Sequence, residues 1–451
     1  MRAFGSRSTS ELRWDRPFNP FTLVVKTKVV IVGNGIAGFS AAAAARRLSP
    51  ESEIVMVSAE AEALYSACAL PEYISGKITR ARTYLKAFED YARLGVETHF
   101  GRQVERVEPD AGRVWLDKGK SLDFERLILA LGSKAVQVGE HKQGAFVVKS
   151  LANADALIGH NGKKAVVIGS GAIGIEVAIA LKKRGYDVEI LEALSRILPL
   201  GLDEKTANRV QEVLRSNGIR VALNERAMAI TGDTTIEGLK TDRREMGCDT
   251  IVWAIGMKPN VGLARSAGIQ VGPKGGIEVN AHMETSVPGV YACGDCIETN
   301  DIISGKTSLN LFWHNANRQG RVAGCSSVGF PSIYFGSENM LSLDVFGRHV
   351  VGFGLTVSAM KEGGIDPANI SVIEDEKEDT YGRLIFAENR CVGAQFVDPG
   401  REAGLIWSLV RQRKPIDLLL KSFGKCAVPS RRALLARAKP FFWGKDFLKA
   451  E

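Results

Sequence analysis

The sequence predicts an α/β fold of two three-layer units in succession, followed by a smaller α+β unit. Three observations predict it. Two glycine-rich segments, Gly33-Asn34-Gly35-Ile36-Ala37-Gly38 and Gly169-Ser170-Gly171-Ala172-Ile173-Gly174, each follow an apolar β-branched run and open an alanine-rich stretch. Strand and helix patterns alternate through both regions, as a parallel sheet covered on both faces requires. Beyond about Ser332 the alternation changes to hairpins, the mark of a separate α+β unit.

Taken in order, Val29 to Val32 reads as a strand, the first glycine segment as a turn, and the residues through Leu48 as a helix; Glu53 to Val57 is a second strand. This is the βαβ opening of a Rossmann-like dinucleotide-binding unit. The same order recurs over Lys164 to Leu191. Between the two, Ser121 to Ala130 reads as one strand that ends in Ala130-Leu131-Gly132, and Thr250 to Gly256 is its counterpart in the second unit. Gly132 and Gly256 let a strand turn beside a nucleotide without a Cβ in the way. Val290 to Asp295 places Gly294 and Asp295 at another strand end, before a polar helix from Asn310 to Gly324. Hairpins over Met340 to Phe353 and Leu384 to Val397 and a helix over Arg401 to Arg411 complete the last unit, with Glu374, Asp375, Glu376, Glu378 and Asp379 expected on a solvated turn. The expected domains are residues 25–149 with 280–331, residues 150–279, and residues 332–451, after an unstructured extension over 1–24.

Composition narrows the function classes. The formal net charge is +8, but the basic residues are dispersed except for Arg431 and Arg432, so no nucleic-acid partner is expected; nucleotides, coenzyme A and acidic redox proteins suit the mild bias equally well. No apolar run is long enough to span a bilayer, so no membrane span is expected. Seven scattered cysteines are unlike a secreted disulfide framework and imply a reducing cytoplasm. Met1 to Thr22 lacks a signal-peptide core, and Glu11 and Asp15 argue against a transit peptide.

In the first glycine segment, Gly33 permits the tight turn, Gly35 lets a pyrophosphate approach and Gly38 lets the helix pack on the strand; Ile36 and Ala37 open that helix, whose N-terminus favours phosphate. Gly169, Gly171, Ala172, Ile173 and Gly174 repeat the arrangement. The acid for the first ribose is Glu60, with Ser58 as the alternative. In the second unit Glu192 ends the strand Val188 to Leu191, where it can accept from both ribose hydroxyls and repel a 2′-phosphate, which favours NADH; Arg196 nearby would soften that preference. Cys68, in Tyr65-Ser66-Ala67-Cys68-Ala69-Leu70-Pro71, is either a nucleophilic thiolate or a small apolar filler. Cys293 and Cys296 form a Cys-x-x-Cys, but no second pair at zinc spacing follows, so packing is expected and no metal site.

With these landmarks in order, the chain resembles the pyridine nucleotide disulfide oxidoreductases over Lys28 to Ile416, and within them the single-cysteine branch of coenzyme A disulfide reductases, NADH oxidases and persulfide reductases. Its Cys68 frame, Cys-Ala-Leu-Pro-Glu-Tyr-Ile-Ser-Gly, is similar to the Cys-Gly-Leu-Pro-Tyr-Tyr-Ile-Gly-Gly of several members; members with a redox disulfide carry a second cysteine where this chain has Tyr73. The resemblance implies FAD on the first unit, with Asp295 accepting from a ribityl hydroxyl, and NADH rather than NADPH on the second, with Glu176 bordering nicotinamide and flavin. It also implies that the last unit is a dimerisation domain and the protein a homodimer. The chain departs from the peroxidases, which have a histidine in the first loop where this chain has Asn34, Ile36 and Ala37. Tyr381 is the candidate for a tyrosine that flanks coenzyme A sulfur, and His314 reads as a surface histidine.

The expected activity is transfer of hydride from NADH to FAD, then reduction of a small disulfide, persulfide or polysulfide, coenzyme A-linked in some relatives, through Cys68. The alternative is an electron-transfer flavoprotein that serves a ferredoxin, rubredoxin or iron-sulfur enzyme, with Cys68 incidental; the hairpin and helix of the last unit resemble those of rubredoxin and nitrite reductase flavoproteins.

Overall fold

The computed structural model describes residues 26–139, 142–376, 380–387, 390–398 and 403–412. The expected extension over 1–24, the arginines near the C-terminus, Glu378, Asp379, Arg401 and Cys426 lie outside the described residues.

The first parallel sheet runs Val290–Ala292, Arg126–Leu129, Lys28–Val32, Glu53–Ser58, Val96–Phe100. The second runs Arg220–Ala222, Asp187–Leu191, Lys164–Ile168, Thr250–Trp253, Ala145–Val147. In both, the strand that leads into the glycine turn is central and its successors lie on opposite sides. The crevice at this switch of strand order, at the carboxyl ends of the strands, is where such sheets bind ligands. The central strands are apolar throughout their buried length, with Val29, Val30, Ile31 and Val167 fully buried, because both faces are covered: in the second sheet Val167 packs with Val177 and Leu181 of a helix, and Val166 with Leu239 and Met246 of a small antiparallel sheet.

The expected single strand over Ser121 to Ala130 is two strands. Ser121–Asp123 closes an antiparallel sheet with Arg113–Leu116 and Val104–Glu108, whereas Arg126–Leu129 joins the parallel sheet. The backbone changes partner between them: Phe124 N–H donates to Gly112 and Glu125 N–H to Lys28.

The helices Ile36–Leu48 and Trp313–Ser327 cross at backbone contact. A Cβ at Gly320 would stand 2.1 Å from the Ala37 carbonyl oxygen, and one at Gly324 would stand 2.1 Å from that of Ala41. The polar helix begins later than its sequence suggests because Asn310 to Phe312 remain extended or coil ahead of it. Glycines at this spacing are what bring the Gly294-Asp295 turn to the first loop: Gln319 on that helix accepts from Gly294 N–H at 2.9 Å.

The last sheet is antiparallel, in the order Met340–Val345, Arg348–Gly354, Arg390–Val397, Tyr381–Ala387, Ile370–Glu376, with Ile406 and Val410 of the helix Ala403–Arg411 packed on it. Asp203, buried ahead of the helix Glu204–Ser216, joins this unit to the second. Its backbone N–H donates to Gln395 Oε1 at 2.9 Å, Gln395 Nε2 donates to its carboxylate at 2.9 Å, and the N–H groups of Val357 and Ser358 donate to the same carboxylate. The described part of the acidic run is exposed but lies on a strand rather than a turn: Glu374 and Glu376 end it, where Lys205 and Arg209 of the Glu204–Ser216 helix pair with them. Among the described residues, no helix is long and apolar enough to cross a membrane.

Candidate active site

The two glycine loops are built alike. Gly33 has φ +114° and a Cβ there would meet the Ala130 carbonyl oxygen at 2.1 Å; Gly169 has φ +102° and would meet that of Ala254 at 2.4 Å. A Cβ on Gly38 or on Gly174 would stand 2.0 Å from the carbonyl oxygen of Gly33 or Gly169 respectively. By contrast, Gly35 and Gly171 have open space where a side chain would be. They are the N-caps of helices Ile36–Leu48 and Ala172–Lys183, and neither helix has a side-chain cap. Their first-turn N–H groups are therefore left to a ligand, in the position that favours phosphate. Ile36 and Ala37, and Ala172 and Ile173, form those first turns.

The strand-end motifs meet across the molecule. Ser133–Ala135 pairs with Met257–Pro259, and Asn260 Nδ2 donates to the Leu131 carbonyl at 2.9 Å. Gly132 and Gly256, at φ +66° and +112°, are the bends on either side, each with open space beside it. Gly294, at φ +82°, places its α-carbon against the first loop, since a Cβ would meet that of Ala37 at 2.9 Å. Asp295 Oδ2 accepts from Ser133 Oγ at 2.7 Å and from Lys149 Nζ at 3.1 Å.

Cys68 sits in a 3₁₀ turn, Ala67–Ala69, that runs into the short helix Leu70–Ile74 with Pro71 in its first turn, where the missing N–H costs nothing. It is the one exposed cysteine among the described residues. Leu70 and Ile74 are buried in one cluster with Val148, Leu151, Ile175 and Ala178, so the cysteine turn is seated on the second unit. Below it Arg80 bonds Glu62, Asp155 and Tyr84, and Tyr73 Oη donates to Asp155 at 2.7 Å. The surrounding protein desolvates the sulfur enough to push its pKa above the ordinary thiol value; Glu176 adds to the shift, Lys149 opposes it and Asp295 adds again. Glu176 itself is raised to about 7, by burial first and Glu72 second. Glu72 follows Cys68 on the short helix and pairs with Lys77 at 2.5 Å.

The ribose acids differ in setting. Glu60 is exposed and accepts from Tyr65 Oη at 2.7 Å, while Ser58 is buried at the strand end. Glu192 is buried; one oxygen accepts from Ser170 N–H and Oγ, the other from Leu194 N–H. Arg196 donates to the carbonyls of Leu202 and Pro199.

Two expectations change, those for Tyr381 and His314, whereas the pair Cys293 and Cys296 takes the packing role expected of it. Tyr381 is buried on its own chain beneath Lys205 and Arg209 of one helix, with its hydroxyl on Glu374, so it is not open to a coenzyme A sulfur. His314 is half-buried rather than superficial; its Nε2 meets the Glu338 carbonyl at 3.3 Å, and burial followed by Arg318 lowers its pKa. Cys293 and Cys296 are fully buried, with the Cys296 thiol pushed up to about 12 and donating to Leu129 and Cys293 carbonyls. Sequence reading missed Lys149, Ser133 and Gln319. Lys149 and Gln319 match no motif, and only the position of Ser133 beside Gly132 could have signalled it.

A groove of 530 Å³ opens between the Ile36–Leu48 and Trp313–Ser327 helices and the segments at Leu64 and at Leu85 and Lys86. Ile36, Phe39, Leu64 and Leu85 give it an apolar lining, and Arg47, Lys86 and Arg321 give it positive charge.

Comparison with known proteins agrees with this construction. The family model for pyridine nucleotide-disulphide oxidoreductases matches residues 27–320. The chain is 34% identical to an NADH oxidase of Methanocaldococcus jannaschii over 73% of its own length and 76% of that protein's. It is 31% identical to a CoA-dependent NAD(P)H sulfur oxidoreductase of Pyrococcus furiosus over 82% of this chain and 88% of the other. Among solved structures, an NAD-dependent persulfide reductase from A. fulgidus superposes with a TM-score of 0.83 at 26% identity, covering 92% of this chain and 83% of that one. The open second glycines, uncapped helix starts and the acceptor at Asp295 fit a flavin dinucleotide on the first unit; the repeated loop with buried Glu192 fits a nicotinamide dinucleotide on the second. The chain belongs to the pyridine nucleotide-disulphide oxidoreductase family and is an FAD-dependent NAD(P)H oxidoreductase.

Proposed function

We propose that the protein uses NADH to reduce a small disulfide, persulfide or polysulfide, coenzyme A-linked, through Cys68. The observation that carries this reading is the setting of Cys68: an exposed sulfur on a turn seated against the second unit, among Glu176, Lys149 and Asp295. The groove supports a coenzyme A-linked acceptor, because Arg47, Lys86 and Arg321 suit phosphates and the apolar lining suits an aliphatic arm.

Only a thiolate attacks sulfur. Cys68 thiolate displaces one sulfur of R–S–S–R′, forming Cys68–S–S–R and releasing R′–S⁻, which takes a proton. Glu176, with a pKa of about 7, is the carboxyl that can hold and supply that proton at neutral pH. A flavin held there would supply two electrons taken as hydride from the nicotinamide; with them the S–S bond of Cys68–S–S–R would break, returning Cys68 as thiolate and releasing RSH. In sum NADH, one proton and the disulfide give NAD⁺ and two thiols. Gly33, Gly35, Ile36, Ala37, Gly38, Ala130, Gly132, Gly294 and Asp295, with Glu60 at the ribose, are proposed to hold FAD; Gly169, Gly171, Ala172, Ile173, Gly174, Glu176, Glu192 and Gly256 are proposed to hold NADH.

The sheets support the proposed division into FAD, NAD(P)H and C-terminal domains, with one adjustment: Ala145–Val147 pairs in the second sheet, which moves that boundary ahead of residue 145. A homodimer is proposed as well; Phe330, Ile333 and Phe335, the last 87% exposed, are exposed apolar residues close together in sequence that a partner would cover. A cytoplasmic location fits the free cysteines of the described residues.

The test is anaerobic NADH titration of the FAD-loaded wild type and Cys68→Ser, followed by coenzyme A disulfide or polysulfide. Loss of the long-wavelength charge-transfer band and of disulfide turnover together in the variant supports the reading. Equal turnover in both proteins overturns it and points to electron delivery to a protein partner.

A further inference from the structure

Lys149 belongs to no motif, yet it is tied directly to the strand-end aspartate and, through its chain neighbours, to the segment that carries Cys68. Its ammonium lies 3.1 Å from Asp295 Oδ2, and Ser133 Oγ donates to the same oxygen at 2.7 Å. On either side of it along the chain, Val148 and Leu151 are buried in the cluster that contains Leu70, two residues beyond Cys68. Leu151 N–H donates to Tyr65 Oη at 3.4 Å, a second tie to the cysteine segment. Lys149 N–H meanwhile donates to Asn153 Oδ1 at 3.2 Å, in the cap of the helix Leu151–Gly159. The segment that carries Lys149 is thus packed against the segment that carries Cys68.

We propose that Lys149 is the positioning cation of the active site: it holds Asp295 with one side of its charge and stabilises the Cys68 thiolate with the other. This rests on the reading of Cys68 as the reacting sulfur. The argument is one of charge balance. From the second glycine helix Cys68 faces Glu176, from the strand end Asp295, and its own short helix carries Glu72, which is paired with Lys77. Two of these carboxyls, Glu176 and Asp295, disfavour a thiolate, and so does the removal of water; Lys149 acts in the opposite direction. Loss of its charge leaves the sulfur facing like charges alone, a change that raises a thiol pKa. Ser133 and Lys149 share one oxygen of Asp295, which leaves the other free for a ribityl hydroxyl, so the lysine and FAD do not compete for one acceptor.

The test reads the ionisation of Cys68 directly. In FAD-loaded protein, the rate of iodoacetamide alkylation at Cys68, located by mass spectrometry, is followed against pH for wild type, Lys149→Met, Lys149→Gln, Lys149→Arg and the exposed control Lys134→Met. The proposal expects the two neutral variants to shift the profile upward by about one pH unit, a tenfold loss of thiolate at fixed pH below the transition. Lys149→Arg and Lys134→Met should stay close to wild type. An unshifted profile in the neutral variants overturns it, and so does an equal shift in Lys134→Met, which would mean a general charge effect. Loss of flavin in both neutral variants with the arginine variant intact also overturns it, because the lysine then serves Asp295 alone. Alkylation reports thiolate content whether or not the protein reduces disulfides, so failure here is distinguishable from failure of the proposed reaction.

Discussion

Ser170 gives Glu192 both of its donors: the backbone N–H at 2.9 Å and the hydroxyl at 2.5 Å reach the same carboxylate oxygen. The middle residue of the second glycine loop is thus clamped to the acid at the end of the neighbouring strand. Leu198 closes the other side, donating its N–H to the Ser170 carbonyl at 3.0 Å from a left-handed conformation with φ +48°. Loop, acid and turn are one assembly, and Arg196 is held inside the turn.

This assembly predicts the nucleotide preference. A buried carboxylate rejects a 2′-phosphate, and no free guanidinium at residue 196 is there to attract one. Arg196→Ala should leave the ratio of kcat/KM for NADH and NADPH within about threefold of wild type. Glu192→Ala should lower kcat/KM for NADH by about tenfold or more, the loss of charged hydrogen bonds of about 1.5–3 kcal/mol, and narrow the ratio. Steady-state kinetics with both nucleotides decides it; a strong rise in NADH preference in Arg196→Ala would show that the arginine does reach the nucleotide.

The helix crossing predicts a second effect. Gly320→Val puts a branched side chain where even a Cβ would stand 2.1 Å from the Ala37 carbonyl oxygen. Helix Trp313–Ser327 must then move off helix Ile36–Leu48, and Gln319 must release Gly294. A loss of about 2–4 kcal/mol is expected, with weakened FAD retention because Ala37 and Gly294 both face the first loop. Denaturant unfolding and the flavin-to-protein absorbance ratio measure the two consequences. Unchanged values for both would mean that the helices do not meet at this glycine.

Glu176 predicts a pH dependence of stability. Its pKa of about 7 lies above the unfolded carboxyl value of 4.5, so the folded state binds its proton more tightly. The stabilisation this confers is fully present below pH 4.5 and is lost as pH rises through 7, by at most about 3 kcal/mol. Glu176→Gln should therefore flatten the fall in Tm between pH 5 and 8. The same variant should lower the pKa of Cys68, since Glu176 is the largest charge effect that raises it. Parallel Tm curves for the two proteins would remove the carboxyl from the account.

Much of the fold was legible because its constraints are local. A loop that turns sharply, admits a ligand and lets a helix pack on a strand needs glycine at fixed positions, and this chain satisfies the pattern at Gly33, Gly35 and Gly38 and again at Gly169, Gly171 and Gly174. The C-terminal hairpins were legible from their alternation. The strand over Ser121 to Ala130 was misread because both of its halves have strand character, and only the competing partners Gly112 and Lys28 divide it. Tyr381 was misread for a related reason: a tyrosine in a strand carries no sign of which helix will cover it.

By itself the sequence determined that two dinucleotide-binding loops flank a single cysteine in a reductase-like frame, since backbone conformation and residue spacing are written along the chain. Only the tertiary structure decided how that cysteine is tuned. Lys149 and Asp295 are 146 residues apart, and Glu176 stands on the helix of a different unit from Cys68. A side chain's charge state depends on the water it loses and the charges it faces, and both are set by residues that meet only when the sheets and helices have packed.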